Sequence, residues 1–148
     1  MLLKSLRDRL RAKEVTIGSW ITIGHPAVAE IMCKAEFDWL TVDMEHSVIG
    51  LREAQELISI ISANGIAPLV RIGEINPNLI KRVLDAGAQG IIAPMVSSRV
   101  DAERAVNGAK YPPMGSRGVG IARAQGYGQN LRSYFETANS ETIVVAQI

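Results

Sequence analysis

Trp39-Leu40-Thr41-Val42-Asp43-Met44-Glu45-His46 is a largely apolar run that gives way, within four residues, to Asp, Glu and His. A strand with so little polar alternation is covered on both faces, as in parallel sheets flanked by helices, where chemistry lies beyond the strand's C-terminal end. Asp43, Glu45 and His46 stand at that end.

The pattern repeats on either side of this stretch. Upstream, the β-branched and aromatic residues of 15–22 predict a strand, and 26–34 returns to helical spacing with Pro26 near the helix start. Leu2, Leu3, Leu6 and Leu10 among Arg and Lys predict a short amphipathic helix over 2–12. Downstream come a helix over 51–63, a strand over 67–72, a helix over 77–86 closed by Gly87 and a strand over 89–96. Helices over 100–109 and 130–138 and a last strand over 142–148 follow. Five strands alternating with helices predict a parallel sheet with right-handed crossovers, either a doubly wound open sheet or a (β/α)₈ barrel.

At 148 residues the chain suits one domain over 1–148, and the length favours the open sheet. The motifs do not, because Gly18 and Gly24 supply no G-x-G-x-x-G after the first strand. Gly115-Ser116-Arg117-Gly118-Val119-Gly120 follows a helix and Tyr111-Pro112-Pro113, so it reads as a loop rather than a nucleotide cradle. It lies within 110–128, the longest irregular stretch.

With 16 basic and 15 acidic residues the net charge is +1, so no global field draws the chain to nucleic acid or an anionic membrane. A small-molecule partner is the expectation. Cys33 is the one cysteine, which excludes an intrachain disulfide and fits a reducing compartment, with the thiol as a small core group. The N-terminus lacks the continuous apolar core of a signal peptide and no run reaches transmembrane length, so a cytoplasmic protein is expected.

Several strands bring polar groups to the same end. Asp43, Glu45 and His46 follow the second, Arg71 closes the third, Pro94-Met95 the fourth, and Gln147 sits in the apolar fifth. An imidazole titrates near neutrality, which suits His46 to acid–base work, although a loop histidine can serve structure alone. The planar fork of Arg71 matches a carboxylate or enolate, or else forms an ordinary ion pair with Glu45 or Glu74. Asp85 falls at a helix end where the dipole disfavours a carboxylate; it either orients an imidazole or is solvated. His25, before Pro26, suits helix entry. No spacing of His, Cys, Asp and Glu matches a closed zinc site, so any metal would be a hard cation held by carboxylates and waters. Asp43 and Glu45 would then sit behind it, holding its waters.

Taken in order, Phe37-Asp38-Trp39-Leu40-Thr41-Val42-Asp43-Met44-Glu45-His46, Pro68-Leu69-Val70-Arg71, the stretch Ile80-Lys81-Arg82-Val83-Leu84-Asp85-Ala86-Gly87-Ala88-Gln89, Ile92-Ala93-Pro94-Met95-Val96, and Tyr111-Pro112-Pro113-Met114-Gly115-Ser116-Arg117-Gly118-Val119-Gly120 resemble the HpcH/HpaI aldolase family. The likeness covers essentially the whole chain. It implies a (β/α)₈ barrel of the phosphoenolpyruvate/pyruvate type, of which this chain holds about the first five β/α units. It also implies a class II aldolase, an aldehyde-lyase that cleaves a 2-oxo-3-deoxy (4-hydroxy-2-oxo) acid to pyruvate and an aldehyde.

By that resemblance His46 is the proton acceptor, Asp85 the acid that raises its basicity, Arg71 the transition-state stabiliser and Gln147, with Arg71, a substrate ligand. No Schiff-base lysine is needed, and Lys81 and Lys110 have no buried-strand setting. A divalent cation, Mg²⁺, Mn²⁺ or Co²⁺, is expected for the complete enzyme, along with a homo-oligomer. The family's metal-binding Glu and Asp are expected beyond Ile148, so the chain reads as the N-terminal portion of a barrel, truncated before those ligands and lacking a metal site of its own. The competing readings are a citrate-synthase-like carbon–carbon ligase on the same fold, and an inactive half-barrel serving as an interaction module.

Overall fold

In the computed structural model, residues 5–148 are described; Leu2 and Leu3 of the predicted first helix lie outside them. Helix α1 (Leu6–Arg11) starts where Ser5 Oγ accepts from the Asp8 N–H at 3.2 Å. Five strands follow, β1 (Gly18–Ile21), β2 (Trp39–Asp43), β3 (Ala67–Arg71), β4 (Gly90–Ala93) and β5 (Ile143–Ala146). Between them run α2 (Pro26–Met32), α3 (Leu51–Ala63), α4 (Pro77–Asp85), α5 (Arg99–Ala109) and α6 (Leu131–Glu141). His25 Nδ1 accepts from the Ala27 N–H at 3.2 Å and Pro26 opens α2, which meets the expectation of a helix-entry role for His25. Asn76 caps α4 through its Oδ1, again just before a proline.

All five strands are parallel and adjacent in chain order, β1-β2-β3-β4-β5. A doubly wound sheet reverses its order part-way, placing helices on both faces. Sequential order with right-handed crossovers keeps every helix on one side, which curls the sheet as in a barrel. Consecutive helices pack side by side, α2 on α3, α3 on α4 and α4 on α5. The described residues therefore form five consecutive parallel strands joined by four helical crossovers, as in part of a (β/α)₈ barrel, and the open-sheet reading favoured by length alone is set aside.

Strand periodicity splits the core into two layers. Leu40, Val42, Val70 and Ile91 face the helices and are buried against Leu57, Ile58 and Ile61 of α3 and Ile80, Val83 and Leu84 of α4. Each such side chain contributes about 1.5–3 kcal/mol by leaving water. The inner face begins with Ala67, Leu69 and Ile143, packed with Trp39 and plugged by Leu6 from α1. Gly18 is required there, since a Cβ would fall 2.0 Å from the Trp39 ring. The strands are shorter than predicted at the ends: Val15 and Ile17 are apolar and β-branched yet exposed, because the β1–β2 ladder begins only at Gly18.

The 110–128 stretch is irregular as predicted, but anchored. Lys110 Nζ donates to the carbonyls of Asn139 at 2.7 Å and Thr142 at 2.6 Å, and Tyr111 packs edge-on against Phe135. Cys33 is half-buried against the helix-side core, and burial pushes its thiol pKa up. Among the described residues, no helix is long and apolar enough to cross a membrane.

Candidate active site

Counting by twos along β2 from Trp39 gives Thr41 and Asp43 on the inner face, and from Ala67 along β3 gives Leu69 and Arg71. Asp43 and Arg71 are register partners, so their side chains meet above the packed floor of the inner face. Arg71 Nε donates to Asp43 Oδ1 at 2.9 Å and Nη2 to Oδ2 at 2.6 Å, a bidentate pair. Arg71 Nη1 donates to Gln147 Oε1 at 3.4 Å, one residue past β5. From β1, Trp20 crosses the intervening strand and lays its ring over the guanidinium, 4.6 Å from the ring centre. Three strands thus converge on one guanidinium.

The turn after β2 is built around Asp43. Its Oδ1 also accepts from the backbone N–H groups of Glu45 at 3.0 Å and His46 at 3.2 Å, while Ser47 Oγ donates to the Asp43 carbonyl. Burial pushes the Asp43 carboxyl pKa up, but Arg71 and the two N–H groups outweigh it, and the net shift is downward. Hydrogen bonding to Asp43 likewise holds Arg71 above its usual value. Glu45 Oε2 lies 3.2 Å from Arg71 Nε, yet it is buried without a hydrogen bond, since the one Nε hydrogen is directed to Asp43. Glu45 Oε1 lies 3.7 Å from His46 Nε2. His46 itself is 71% exposed at the mouth of the site.

Asp43, Glu45, His46, Arg71 and Gln147 are therefore gathered at the C-terminal ends of the strands. Asp85 is not among them. A helix that follows its strand runs back antiparallel to it, so the last residue of α4 lies at the opposite end of the sheet from the turn after β2. There Asp85 Oδ1 accepts from Arg117 Nη2 at 2.6 Å. Within this chain Asp85 thus pairs with Arg117 rather than with His46; its helix-end carboxylate is compensated by a buried guanidinium, which also lies over the Tyr111 ring at 4.5 Å. Arg117, read from sequence only as part of a loop, is 3% exposed. Lys110 is near that same end and committed to two carbonyls, away from the gathered polar groups.

In sequence Trp20 reads only as a strand former; its alternation with Gly18 along β1 is the signal that puts it on the inner face. Among the described residues, no group of three or more His, Cys, Asp and Glu is placed to hold a metal ion. Asp43 has given both carboxylate oxygens to Arg71, so the donors at this site do not by themselves fit a divalent cation.

The arrangement offers a fixed guanidinium, an amide and an exposed imidazole at one mouth, suited to an oxo acid and to proton transfer. Comparison with known proteins gives the same direction. Residues 16–148 match the family model described as HpcH/HpaI aldolase/citrate lyase. A 2-dehydro-3,6-dideoxy-6-sulfogluconate aldolase of Pseudomonas putida is 36% identical over 140 residues, 94% of this chain and 54% of the relative. A hydroxypyruvate/pyruvate aldolase of Roseobacter denitrificans is 36% identical over 148 residues, 99% of this chain and 57% of the relative. The chain spans about half the length of the curated relatives it matches. Among solved structures, an HpcH/HpaI aldolase/citrate lyase family protein from Burkholderia cenocepacia superposes with a TM-score of 0.91 at 34% identity, over 99% of this chain and 60% of that one. The citrate synthase SbnG superposes at 0.84 and 31% identity, over 97% and 55%.

Proposed function

The chain belongs to the HpcH/HpaI aldolase/citrate lyase family, and on that premise we propose that it carries the base and the enolate-binding half of a class II aldolase that cleaves a 2-oxo-3-deoxy acid to pyruvate and an aldehyde. The observation that carries this is the Arg71 guanidinium, fixed at the strand ends by Asp43 and beside Gln147, with His46 exposed at the same mouth.

His46 removes the C4 hydroxyl proton, the carbonyl of the aldehyde forms, and the C3–C4 electron pair passes to the 2-oxo group as the pyruvate enolate. Protonation at C3 then gives pyruvate. Two of the five N–H donors of Arg71 go to Asp43 and one, at longer reach, to Gln147, leaving one on each terminal nitrogen for the enolate or carboxylate. With Gln147 Oε1 turned to Arg71, its amide N–H groups are free to donate to the same substrate. The aromatic partner of this cation is Trp20, and its charged partners are Asp43 and Glu45. Dependence on Mg²⁺, Mn²⁺ or Co²⁺ belongs to the proposal through the family alone, since no group of three or more His, Cys, Asp and Glu among the described residues is placed to hold such an ion.

Pyruvate release from a 2-keto-3-deoxy sugar acid, with and without Mg²⁺ or Mn²⁺, tests this in the full-length protein and in His46→Ala. Loss of release in the variant is expected; undiminished metal-dependent release would sink the role of His46. The likeness to SbnG supports a second reading, a carbon–carbon ligase that joins an acyl thioester to an oxo acid on the same site. Consumption of thioester in place of pyruvate release would favour it.

A further inference from the structure

We infer that Trp20 is a positioning residue for Arg71, holding the guanidinium in the plane from which it receives a flat 2-oxo acid. The inference rests on the aldolase proposal for the identity of that acid, and on the packing for everything else.

A guanidinium has two faces and an edge, and only the edge carries hydrogens. Asp43 takes the Nε side of that edge, which fixes the fork along one direction but leaves rotation about the carboxylate contact to be resisted by something else. Trp20 covers one face at 4.6 Å. The contact is not the accident of a floppy surface ring. Trp20 lies on the strand two places from Arg71, so its side chain must cross β2 to arrive, and its register partner is the fully buried Thr41. Below it, Gly18 leaves the inner face of β1 to the Trp39 ring, so the two indoles occupy successive levels of the same face. Trp20 is nonetheless 41% exposed.

Three consequences follow. A ligand cannot reach Arg71 through the covered face, so it approaches the free terminal N–H groups at the edge. The indole contributes attraction without adding a third carboxylate beside Asp43 and Glu45, so the remaining terminal N–H groups stay open to an enolate. Rotating the guanidinium out of this plane would also part it from Gln147 Oε1, already at 3.4 Å.

The test uses Trp20→Leu and Trp20→Phe in the full-length protein, with circular dichroism to confirm folding. Oxalate, a planar mimic of the pyruvate enolate, is titrated by calorimetry in the presence of Mg²⁺, and kcat and KM are measured for pyruvate release. Oxalate binding and KM are expected to weaken roughly fivefold in Trp20→Leu, the size of an exposed cation–π contact, and to stay within about twofold of the parent in Trp20→Phe. A leucine variant that binds oxalate like the parent overturns the inference, as does a phenylalanine variant impaired as much as leucine, because a stacked ring is then not what matters. A parent protein that does not bind oxalate overturns it as well. If the leucine variant does not fold, Trp20→Phe against Trp20→Met carries the same comparison. Weakened oxalate binding in a protein that releases no pyruvate would leave the positioning role standing and remove the aldolase proposal, whereas release unaffected by the leucine change, with unaltered oxalate binding, would do the reverse.

Discussion

Replacing Asp43 by Asn keeps the shape of the side chain and removes the charge that the site is built on. Asp43 is 1% exposed and accepts four hydrogen bonds, two from Arg71 and two from the turn that carries His46. Breaking a buried ion pair from one side costs about 3–5 kcal/mol, because the other charge is left behind. Here Glu45 lies 3.2 Å from the same guanidinium and Arg71 keeps some solvent contact, so the lower end, about 3 kcal/mol, is expected. For a chain of this size that corresponds to a fall in Tm of roughly 6–12 °C. The pH dependence supplies a sign. The folded pKa of Asp43 is depressed, so its stabilisation is fully present above the unfolded carboxyl value of about 3.9 and is lost as pH falls through the folded value. Asp38, held down by its hydrogen bond from Arg9, contributes in the same direction in both proteins and cancels in the difference. The gap between parent and Asp43→Asn should therefore be level from pH 7 to about 5 and close below about 4. Thermal melts across that range read it directly. A gap under about 2 °C at pH 7, or one that widens on acidification, would refute the view that Asp43 acts as the counter-ion of Arg71.

Other perturbations separate stability from chemistry. His46→Ala should leave stability within about 0.5 kcal/mol, since the ring is exposed, while lowering kcat for pyruvate release by about 10²–10⁴. Arg71→Lys removes the fork and should cost about 10²-fold or more in kcat/KM even though the charge is kept. Asp85→Ala strands the fully buried Arg117 side chain and should destabilise by about 3 kcal/mol; Arg117→Met in the same chain should recover much of that loss, measured by chemical denaturation. Gly18→Ala drives a methyl into the Trp39 ring and should cost about 1–3 kcal/mol, visible as a lower melting temperature and a shifted indole emission.

Sequence alone determined which segments become strands and helices, because apolar runs, proline at helix starts and capping residues such as Ser5 and Asn76 act over a few neighbours. It also placed Asp43, Glu45, His46, Arg71 and Gln147 at the ends of strands, which in a parallel sheet is the same end. Local patterning is identical in a doubly wound sheet and a barrel, so in sequence only the family motifs pointed to the barrel, and the sequential order of the strands agrees with them. Tertiary structure decided what those residues touch. Arg71 had two acidic candidates, Glu45 and Glu74; Glu45 does lie 3.2 Å from its Nε, but the bidentate partner is Asp43, because register sets the two side by side. Asp85 had looked available to His46; the antiparallel run of α4 carries it to the far end, where Arg117 from a distant loop meets it. Trp20 lay unremarked in an apolar strand, and only the passage of its side chain across β2 brought an aromatic face onto the cation. Periodicity is a property of neighbours in the chain, whereas pairing across strands depends on register and handedness, which no single segment contains.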